Sequence, residues 1–191
     1  MLTLADGSAY KGYVFVGTTI PDGPGEKTGP NFTYTYIGQF KNGVFEGVGT
    51  ITYHGVPQTQ QNLVYQYQGG FRNGKFYGEG EAQYHVPPAV DYSQVQSSSY
   101  YKGGWRDGIK KGYGTMVYAD GERYVGGWNN DMPEGYGELT WNQADFPRYE
   151  GGFKNGVCEG LGRYFVADGR CEYEGEYRDG MRTGRRFSRW Y

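Results

Sequence analysis

The chain has 191 residues, with 35 Gly and 21 Tyr but only five Leu, so its aliphatic side chains cannot fill a thick core between packed layers. Its formal net charge of −2 gives no general reason to expect nucleic-acid binding. The longest apolar runs fall far short of the ~20 residues of a membrane helix, and two cysteines are too few for a disulfide framework. We therefore expect a reducing, cytoplasmic environment. Disordered chains are usually poor in aromatics, so this composition favours a thin β structure.

Residues 1–35 carry parts of a pattern that becomes regular further along the chain. The stretch Leu2–Gly7 is similar to the later Tyr118–Gly121, and Tyr10–Gly12 is similar to the start of each later unit. We predict degenerate half-units followed by a Gly- and Pro-rich loop. The stretch Gly23–Thr28 has some likeness to a phosphate-binding loop, but it lacks the Gly that must directly precede the Lys. We therefore predict no nucleotide site there.

From residue 36 onward, one pattern recurs six times. Each unit has Tyr-x-Gly-x-aromatic, then a turn that ends in Gly, then Gly-x-Gly and a closing aromatic. The units start at Tyr36, Tyr67, Tyr101, Tyr124, Tyr149 and Tyr173. Three positions depart from the pattern, with Asp131 and Arg186 in glycine places and Val166 in an aromatic place. The predicted repeats are 36–66, 67–100, 101–123, 124–148, 149–172 and 173–191.

Each repeat predicts one β-hairpin. Tyr, Gly and aromatic at alternate positions lie on one face of a strand. Asn-Gly and Asp-Gly pairs such as Asn42-Gly43 and Asp107-Gly108 then favour type I′ turns. The predicted fold is all-β, an elongated single-layer antiparallel meander of consecutive hairpins. We expect rings from neighbouring hairpins to lie against glycine backbone, and columns of aromatic rings to replace a conventional core.

The pattern Y-x-G-x-[FW]-x-x-G-x-x-x-G-x-G is similar to that of the MORN repeat family (membrane occupation and recognition nexus), over roughly Tyr36 to Tyr191. This resemblance implies a rod- or groove-shaped sheet. It also implies a non-enzymatic scaffold that binds other proteins in a multi-subunit assembly, associated with the cytoskeleton and found in cilia or flagella, at the axoneme or basal body. The alternative that the family name implies is a peripheral membrane adaptor.

Candidate protein contacts fall into two groups. Trp105, Trp128 and Trp141 are candidates as exposed members of the aromatic rows, and packing between hairpins is the alternative role for each of them. Two insertions between hairpins, 55–64 and 86–99, lengthen the first repeats, and Val86 and Tyr92 in the second are further candidates. Neutral variation in surface loops is the alternative explanation of both insertions.

The C-terminal tail suggests a second kind of contact. Its basic residues, interleaved with aromatics and without an acid, are Arg182, Arg185, Arg186 and Arg189. Three roles fit such a tail: weak binding to an anionic lipid surface, binding to an acidic protein surface, or a solvated end without a partner. Edge strands at both ends of the array also make a homodimer plausible.

Residues that could support catalysis or metal binding are sparse. His54 and His85 lack a third ligand, and Cys158 and Cys171 lack a redox spacing. The acidic residues occupy turns or outward strand positions, where we expect solvated charge. We predict no enzyme activity, cofactor or metal. Choline-binding modules, which also repeat Gly and aromatics, are disfavoured because their Trp-Tyr-Tyr signature is missing.

Overall fold

A computed structural model describes residues 1–54, 63–84, 99–142 and 147–186 of the chain. In this part, all strands belong to one antiparallel sheet whose spatial order is the order along the chain. A single 3-10 turn, Pro30–Phe32, lies between two strands. Within the same ranges, no helix is long and apolar enough to cross a membrane. The predicted single-layer meander of hairpins is confirmed.

The strands of the N-terminal half are β1 (Leu2–Thr3), β2 (Ala9–Val14), β3 (Pro21–Thr28), β4 (Tyr34–Lys41), β5 (Val44–Tyr53), β6 (Val64–Arg72) and β7 (Lys75–Tyr84). Those of the C-terminal half are β8 (Tyr100–Arg106), β9 (Ile109–Val117), β10 (Arg123–Asn129), β11 (Met132–Thr140), β12 (Arg148–Lys154), β13 (Val157–Phe165), β14 (Cys171–Arg178) and β15 (Met181–Arg186).

The hairpin turns have the predicted conformation. In the turn between β4 and β5, Asn42 has φ of 51° and Gly43 has φ of 83°, and positive φ at both central residues defines a type I′ turn. The same conformation occurs where the glycine is replaced, because Asn130 and Asp131 have φ of 49° and 64°. Asn and Asp tolerate this left-handed region better than other residues with a side chain, so Asp131 preserves the turn.

The N-terminal segment differs from its prediction. The residues expected to form half-units and a loop make a complete hairpin of β2 and β3, with Gly12 paired to Gly25. Tyr10 is as buried as the tyrosines that start the later repeats. Two features interrupt the repeat pattern in the sequence of this hairpin: its long tip, residues 15–20, and Pro24 within β3. Pro24 is tolerated because it lies at the bulge of the hairpin, where β2 offers it no paired residue.

A row of paired glycines crosses the sheet from Gly12 in β2 to Gly175 in β14, with one glycine from every strand. In each of the six hairpins from β2–β3 to β12–β13, the first tyrosine of the repeat pattern covers the two glycines of that hairpin with its ring. A Cβ at Gly38 or Gly49 would come within 2.5 Å of the Tyr36 hydroxyl oxygen. The expectation that neighbouring hairpins supply these rings is therefore wrong, because the first tyrosine of a hairpin reaches the glycines of that same hairpin.

Neighbouring hairpins are joined by edge-to-face ring contacts. The Tyr36 ring lies 5.1 Å from Phe40 of its own hairpin and 5.0 Å from Phe71 of the next. Tyr67 contacts Phe71 and Trp105 in the same way, and the series continues to Tyr177 in β14. These buried rings form one continuous core cluster along the aromatic face of the sheet. The predicted aromatic columns are confirmed.

The insertions lie between hairpins, where a tight turn stands elsewhere. The Tyr118 amide donates to the Glu122 carbonyl at 2.8 Å across such a turn. At the equivalent place the Tyr84 amide donates to the Ser99 carbonyl at 2.9 Å. Ser99, the last residue of the insertion 86–99, is therefore hydrogen-bonded to Tyr84 at the end of β7. Residues 55–62 and 85–98 lie outside the described part of the chain, so the contacts predicted for Val86 and Tyr92 are not tested.

Candidate partner-binding surface

The aromatic face hides two of the predicted contact residues. Trp105 is 5% exposed and Trp128 is 4% exposed. Their indole N–H groups donate to the carbonyls of Gly80 and Gly114 at 3.3 and 3.2 Å. Both tryptophans therefore pack in the core between hairpins, which is the alternative role predicted for them, and they are not exposed to a partner. Trp141 is half-buried beside Tyr164, with ring centroids 5.9 Å apart, and it remains a candidate contact.

The core tyrosines are fixed by their hydroxyl groups as well as by their rings. The Tyr36 hydroxyl donates to the Gln39 carbonyl at 2.9 Å, and Tyr67 donates to Gly70 at 2.9 Å. The acceptor lies three residues along the chain, at the point where a bulge interrupts the pairing within the hairpin. Burial raises the pKa of both tyrosines well above its usual range. These hydroxyls stay protonated and structural, so they offer a partner no reactive group.

The opposite, outer face carries the exposed apolar side chains. Four of them stand at the same place in their hairpins, between the two glycines of Gly-x-Gly: Val48, Tyr113, Tyr136 and Leu161. We call this set the outer-face row. Tyr113 is 68% exposed and Tyr136 is 67% exposed. Burial on folding does not explain why large apolar groups recur here, because each side chain points away from the core.

Each member of the outer-face row stands beside a glycine or a glutamate of the next hairpin. Tyr113 pairs with Gly127, and Tyr136 pairs with Gly152. Both glycines are required by the backbone, since a Cβ at Gly127 would lie 2.1 Å from the carbonyl oxygen of Glu134. The space beside each exposed ring is therefore kept open by the fold itself.

Shallow depressions separate successive members of the row. One lies between Tyr113 and Tyr136, and its floor includes the backbone of Gly137. The next lies between Tyr136 and Leu161, over Gly162. An equivalent depression near the N-terminus is lined by Pro24, Ile37 and Gln39. The outer face thus repeats one small cleft at hairpin intervals.

Charged side chains border the two C-terminal depressions. Arg123 lies 3.9 Å from Glu138, and Arg163 lies 3.5 Å from Glu150. Glu174 lines the second depression as a further acid. The neighbouring Tyr136 hydroxyl, followed by the Glu150 carboxylate, raises the pKa of Arg163. Arg148 also lies 3.0 Å from Glu150, so the border is polar and its acids and bases are equal in number.

Sequence reasoning missed the outer-face row, although a signal for it was present. The residue between the glycines of Gly-x-Gly points away from the tyrosine face, and its apolar type in four hairpins is readable from the sequence. The aromatic residues that define the repeat favoured the tryptophans instead, and two of these, Trp105 and Trp128, belong to the core.

Several acidic side chains are structural as well. The Glu134 carboxylate accepts a hydrogen bond from the backbone N–H of Asn155 at 3.0 Å. The Glu159 carboxylate accepts one from the backbone N–H of Asp179 at 3.0 Å. Glu46 caps the turn of the following hairpin in the same way. The expectation of merely solvated charge is therefore wrong at these positions, where an acid of one hairpin holds the turn of the next.

Two cations lie against the aromatic face. The Lys110 ammonium lies 4.8 Å from the Trp128 ring centroid and 5.6 Å from that of Tyr101, and burial lowers its pKa. Arg182 lies 4.5 Å from the Tyr164 ring and 3.6 Å from the Glu172 carboxylate. The structure therefore shows an intramolecular role for Arg182. The side chains of Arg185 and Arg186, and all of Arg189, lie outside the described part.

The histidine and cysteine residues are dispersed. His54 stacks on Phe32 and contacts the Thr35 hydroxyl at 3.0 Å, while His85 lies outside the described residues. Burial raises the pKa of Cys158 to about 11, and Cys171 is exposed. Within the residues that the structure describes, no group of three or more His, Cys, Asp or Glu side chains could hold a metal ion.

Comparison with known families agrees with this repeat-by-repeat description. The MORN repeat model matches residues 36–54, 101–123, 124–143, 149–169 and 173–185, about half of the chain. The hairpin of β6 and β7 is not matched, yet its tyrosine, glycines and ring contacts are equivalent to those of the matched repeats. A search of curated proteins gave no match. Sequence pattern, hairpin geometry and family model agree, and the chain belongs to the MORN repeat family.

Proposed function

We propose that this MORN-repeat scaffold binds a partner protein through its outer face and works within a multi-subunit cytoskeletal assembly. The observation that carries the proposal is the outer-face row, with Tyr113 and Tyr136 about two-thirds exposed at equivalent places in adjacent hairpins. Apolar groups exposed in a contiguous set, with a polar border, mark interaction sites more often than isolated ones do. A sheet held rigid by ring contacts along its whole length suits the role of a template.

The proposed location is a cilium or flagellum, at the axoneme or basal body. Support for this part is the family resemblance, because MORN repeats recur in such assemblies. The elongated array adds a physical reason, since each hairpin contacts mainly its neighbours and the sheet can extend a binding surface in one direction.

The test is to tag the protein in its native cells, identify what co-purifies under mild conditions, and image the same cells. We expect axonemal or basal-body proteins to be enriched, with signal along a cilium or at its base. The double variant Tyr113→Ala/Tyr136→Ala should lose at least one stable partner. Its matched control, Met132→Ala/Val157→Ala, removes two exposed apolar side chains near hairpin turns and should keep every partner.

A diffuse or membrane-bound signal without stable partners would contradict the scaffold proposal and favour the lipid alternative. That alternative depends on the basic tail, and the contacts of Arg182 with Glu172 and Tyr164 leave it less free to reach a membrane. Vesicles with anionic lipid provide the direct measurement. Loss of vesicle binding when Arg182, Arg185, Arg186 and Arg189 are all changed to Gln would support lipid recognition.

A further inference from the structure

We propose that the outer face around Tyr113, Tyr136 and Leu161 binds a proline-rich segment in the polyproline II conformation. The inference rests on the proposed function, because it names the class of partner segment that the same surface takes. It follows from the spacing of the row and the chemistry of the depressions.

The spacing of the row is set by the sheet. Tyr113 lies on β9, Tyr136 on β11 and Leu161 on β13, so consecutive members are two strands apart. Neighbouring strands are ~4.8 Å apart, which places equivalent side chains at intervals of ~9.6 Å across the sheet. A partner that uses consecutive depressions must present a similar side chain at this interval, on one side only.

A polyproline II helix meets this requirement. It has three residues per turn and rises ~3.1 Å per residue, so every third side chain points the same way at ~9.3 Å intervals. In an extended strand, every second side chain points the same way, at intervals of ~6.8 Å, and this spacing does not match the ~9.6 Å between consecutive members of the row. An α-helix repeats a side chain in a similar direction after seven residues, ~10.5 Å, and its ~10 Å width cannot enter shallow depressions.

The depressions have the chemistry that recognises proline. Each is flanked by a tyrosine ring and floored by glycine backbone, Gly137 in one and Gly162 in the other. Aromatic-lined grooves bind polyproline II segments because the flat rings pack against pyrrolidine rings and the segment is ordered before binding. The tyrosine hydroxyls stand at the border, where they can donate to the solvated carbonyls of such a segment.

The charged side chains of the border are paired with one another. Arg123 lies 3.9 Å from Glu138, and Glu150 lies 3.5 Å from Arg163 and 3.0 Å from Arg148. With Glu174, the border therefore holds three arginines and three glutamates. Recognition depends on ring packing and on the spacing of the row rather than on net charge.

Titration with defined peptides tests the proposal. A fluorescein-labelled peptide of repeating Pro-Pro-Arg is added to the full chain and followed by fluorescence anisotropy. We expect saturable binding that weakens at least ~10-fold in the double variant Tyr113→Ala/Tyr136→Ala, the equivalent of ~1.4 kcal/mol. Met132→Ala/Val157→Ala should bind as the unchanged chain does, and matching thermal melts show that both variants fold.

A second peptide separates polyproline recognition from simple charge attraction. Repeating Gly-Ser-Arg has the same charge spacing but no preference for polyproline II, so it should bind much more weakly. Equal binding of the two peptides, unchanged affinity of the Tyr113→Ala/Tyr136→Ala variant, or no binding at ~1 mM peptide would each overturn the inference.

The failure of this inference is distinguishable from failure of the scaffold proposal. If the peptides do not bind but the tyrosine double variant still loses a co-purifying partner, the outer face binds another kind of segment. If no stable partner co-purifies with the unchanged chain either, the proposed function itself is wrong.

Discussion

The buried tyrosine of each hairpin is held by two different contacts. Its ring covers a pair of glycines, and its hydroxyl satisfies a carbonyl at the bulge of the same hairpin. Phenylalanine would supply only the first contact, because it lacks the hydroxyl. The repeat pattern therefore requires tyrosine at this position for a reason that the ring alone does not give.

Replacing Tyr67 with Phe should lower the free energy of unfolding by ~1 kcal/mol. The change removes the 2.9 Å hydrogen bond to the Gly70 carbonyl and leaves the ring packing in place. Urea unfolding followed by circular dichroism measures the loss. Tyr113→Phe removes a hydroxyl from an exposed ring and should change stability by less than ~0.5 kcal/mol. Equal effects of the two substitutions would contradict the structural role of the Tyr67 hydroxyl.

The positions beneath the tyrosine rings require glycine because there is no room for a side chain there. A Cβ at Gly80 would lie 2.3 Å from the Tyr67 hydroxyl oxygen, so either the ring or the strand must move. We expect Gly80→Ala to cost ~1–3 kcal/mol, typical of an overpacked core. The control Glu79→Ala lies one residue away on the outer face. Thermal melts of the two variants should differ clearly, and a neutral Gly80→Ala would show that the ring does not cover this glycine.

At the scale of single elements, the turns depend on carboxylates as well as on glycine. In the turn after β1, the Asp6 carboxylate accepts hydrogen bonds from Lys27 at 2.8 Å and from Ser8. These contacts, with Lys27 first, hold the pKa of Asp6 well below its usual range. A lowered pKa in the folded state means that stabilisation is present above the unfolded value of ~3.9 and is lost as the pH falls below it.

Asp6→Asn should therefore destabilise the protein at pH ~7 and have a much smaller effect at pH ~2, where the carboxylate is becoming protonated. The Asp6 side chain is 52% exposed, so solvent screening limits the expected loss to ~0.5–1 kcal/mol. Lys27→Gln should give a similar loss at neutral pH, and the double variant should be less than additive. A pH-independent effect of Asp6→Asn would contradict the ion-pair explanation.

The whole molecule is stabilised as a linear array. Tyr36 and Tyr67 each contact two rings of their own hairpin and one ring of the next, so cooperativity passes from hairpin to hairpin. Trp105 makes one such link, with the Tyr67 ring at 5.4 Å and the Tyr101 ring at 5.2 Å. Weakening that link should separate the array into two units of different stability.

Trp105→Ala should cost ~3–5 kcal/mol and turn one unfolding transition into two. Hydrogen exchange followed by mass spectrometry would then show unequal protection on the two sides of β8. Tyr113→Ala changes an exposed ring in the same hairpin and should leave a single transition. A single transition in Trp105→Ala would show that coupling between hairpins does not depend on this ring.

The sequence by itself determined the architecture, because the elements that define it are local. Alternation of Tyr, Gly and aromatic residues, followed by Asn-Gly or Asp-Gly, specifies a hairpin within about 23 residues without help from distant residues. Six repeats of one such unit leave few ways to arrange the strands other than in chain order. The hairpin of β2 and β3 escaped prediction because its long tip and Pro24 disguise the same pattern.

Only the tertiary structure decided which aromatic residues are available to a partner. Trp105 and Tyr113 belong to one hairpin and both are large aromatics, yet one is 5% and the other 68% exposed. Burial of Trp105 depends on the Tyr67 ring of the preceding hairpin, a contact between residues far apart in the chain. Local pattern gives the face of a strand on which a residue lies, but burial of that face depends on what neighbouring hairpins place against it.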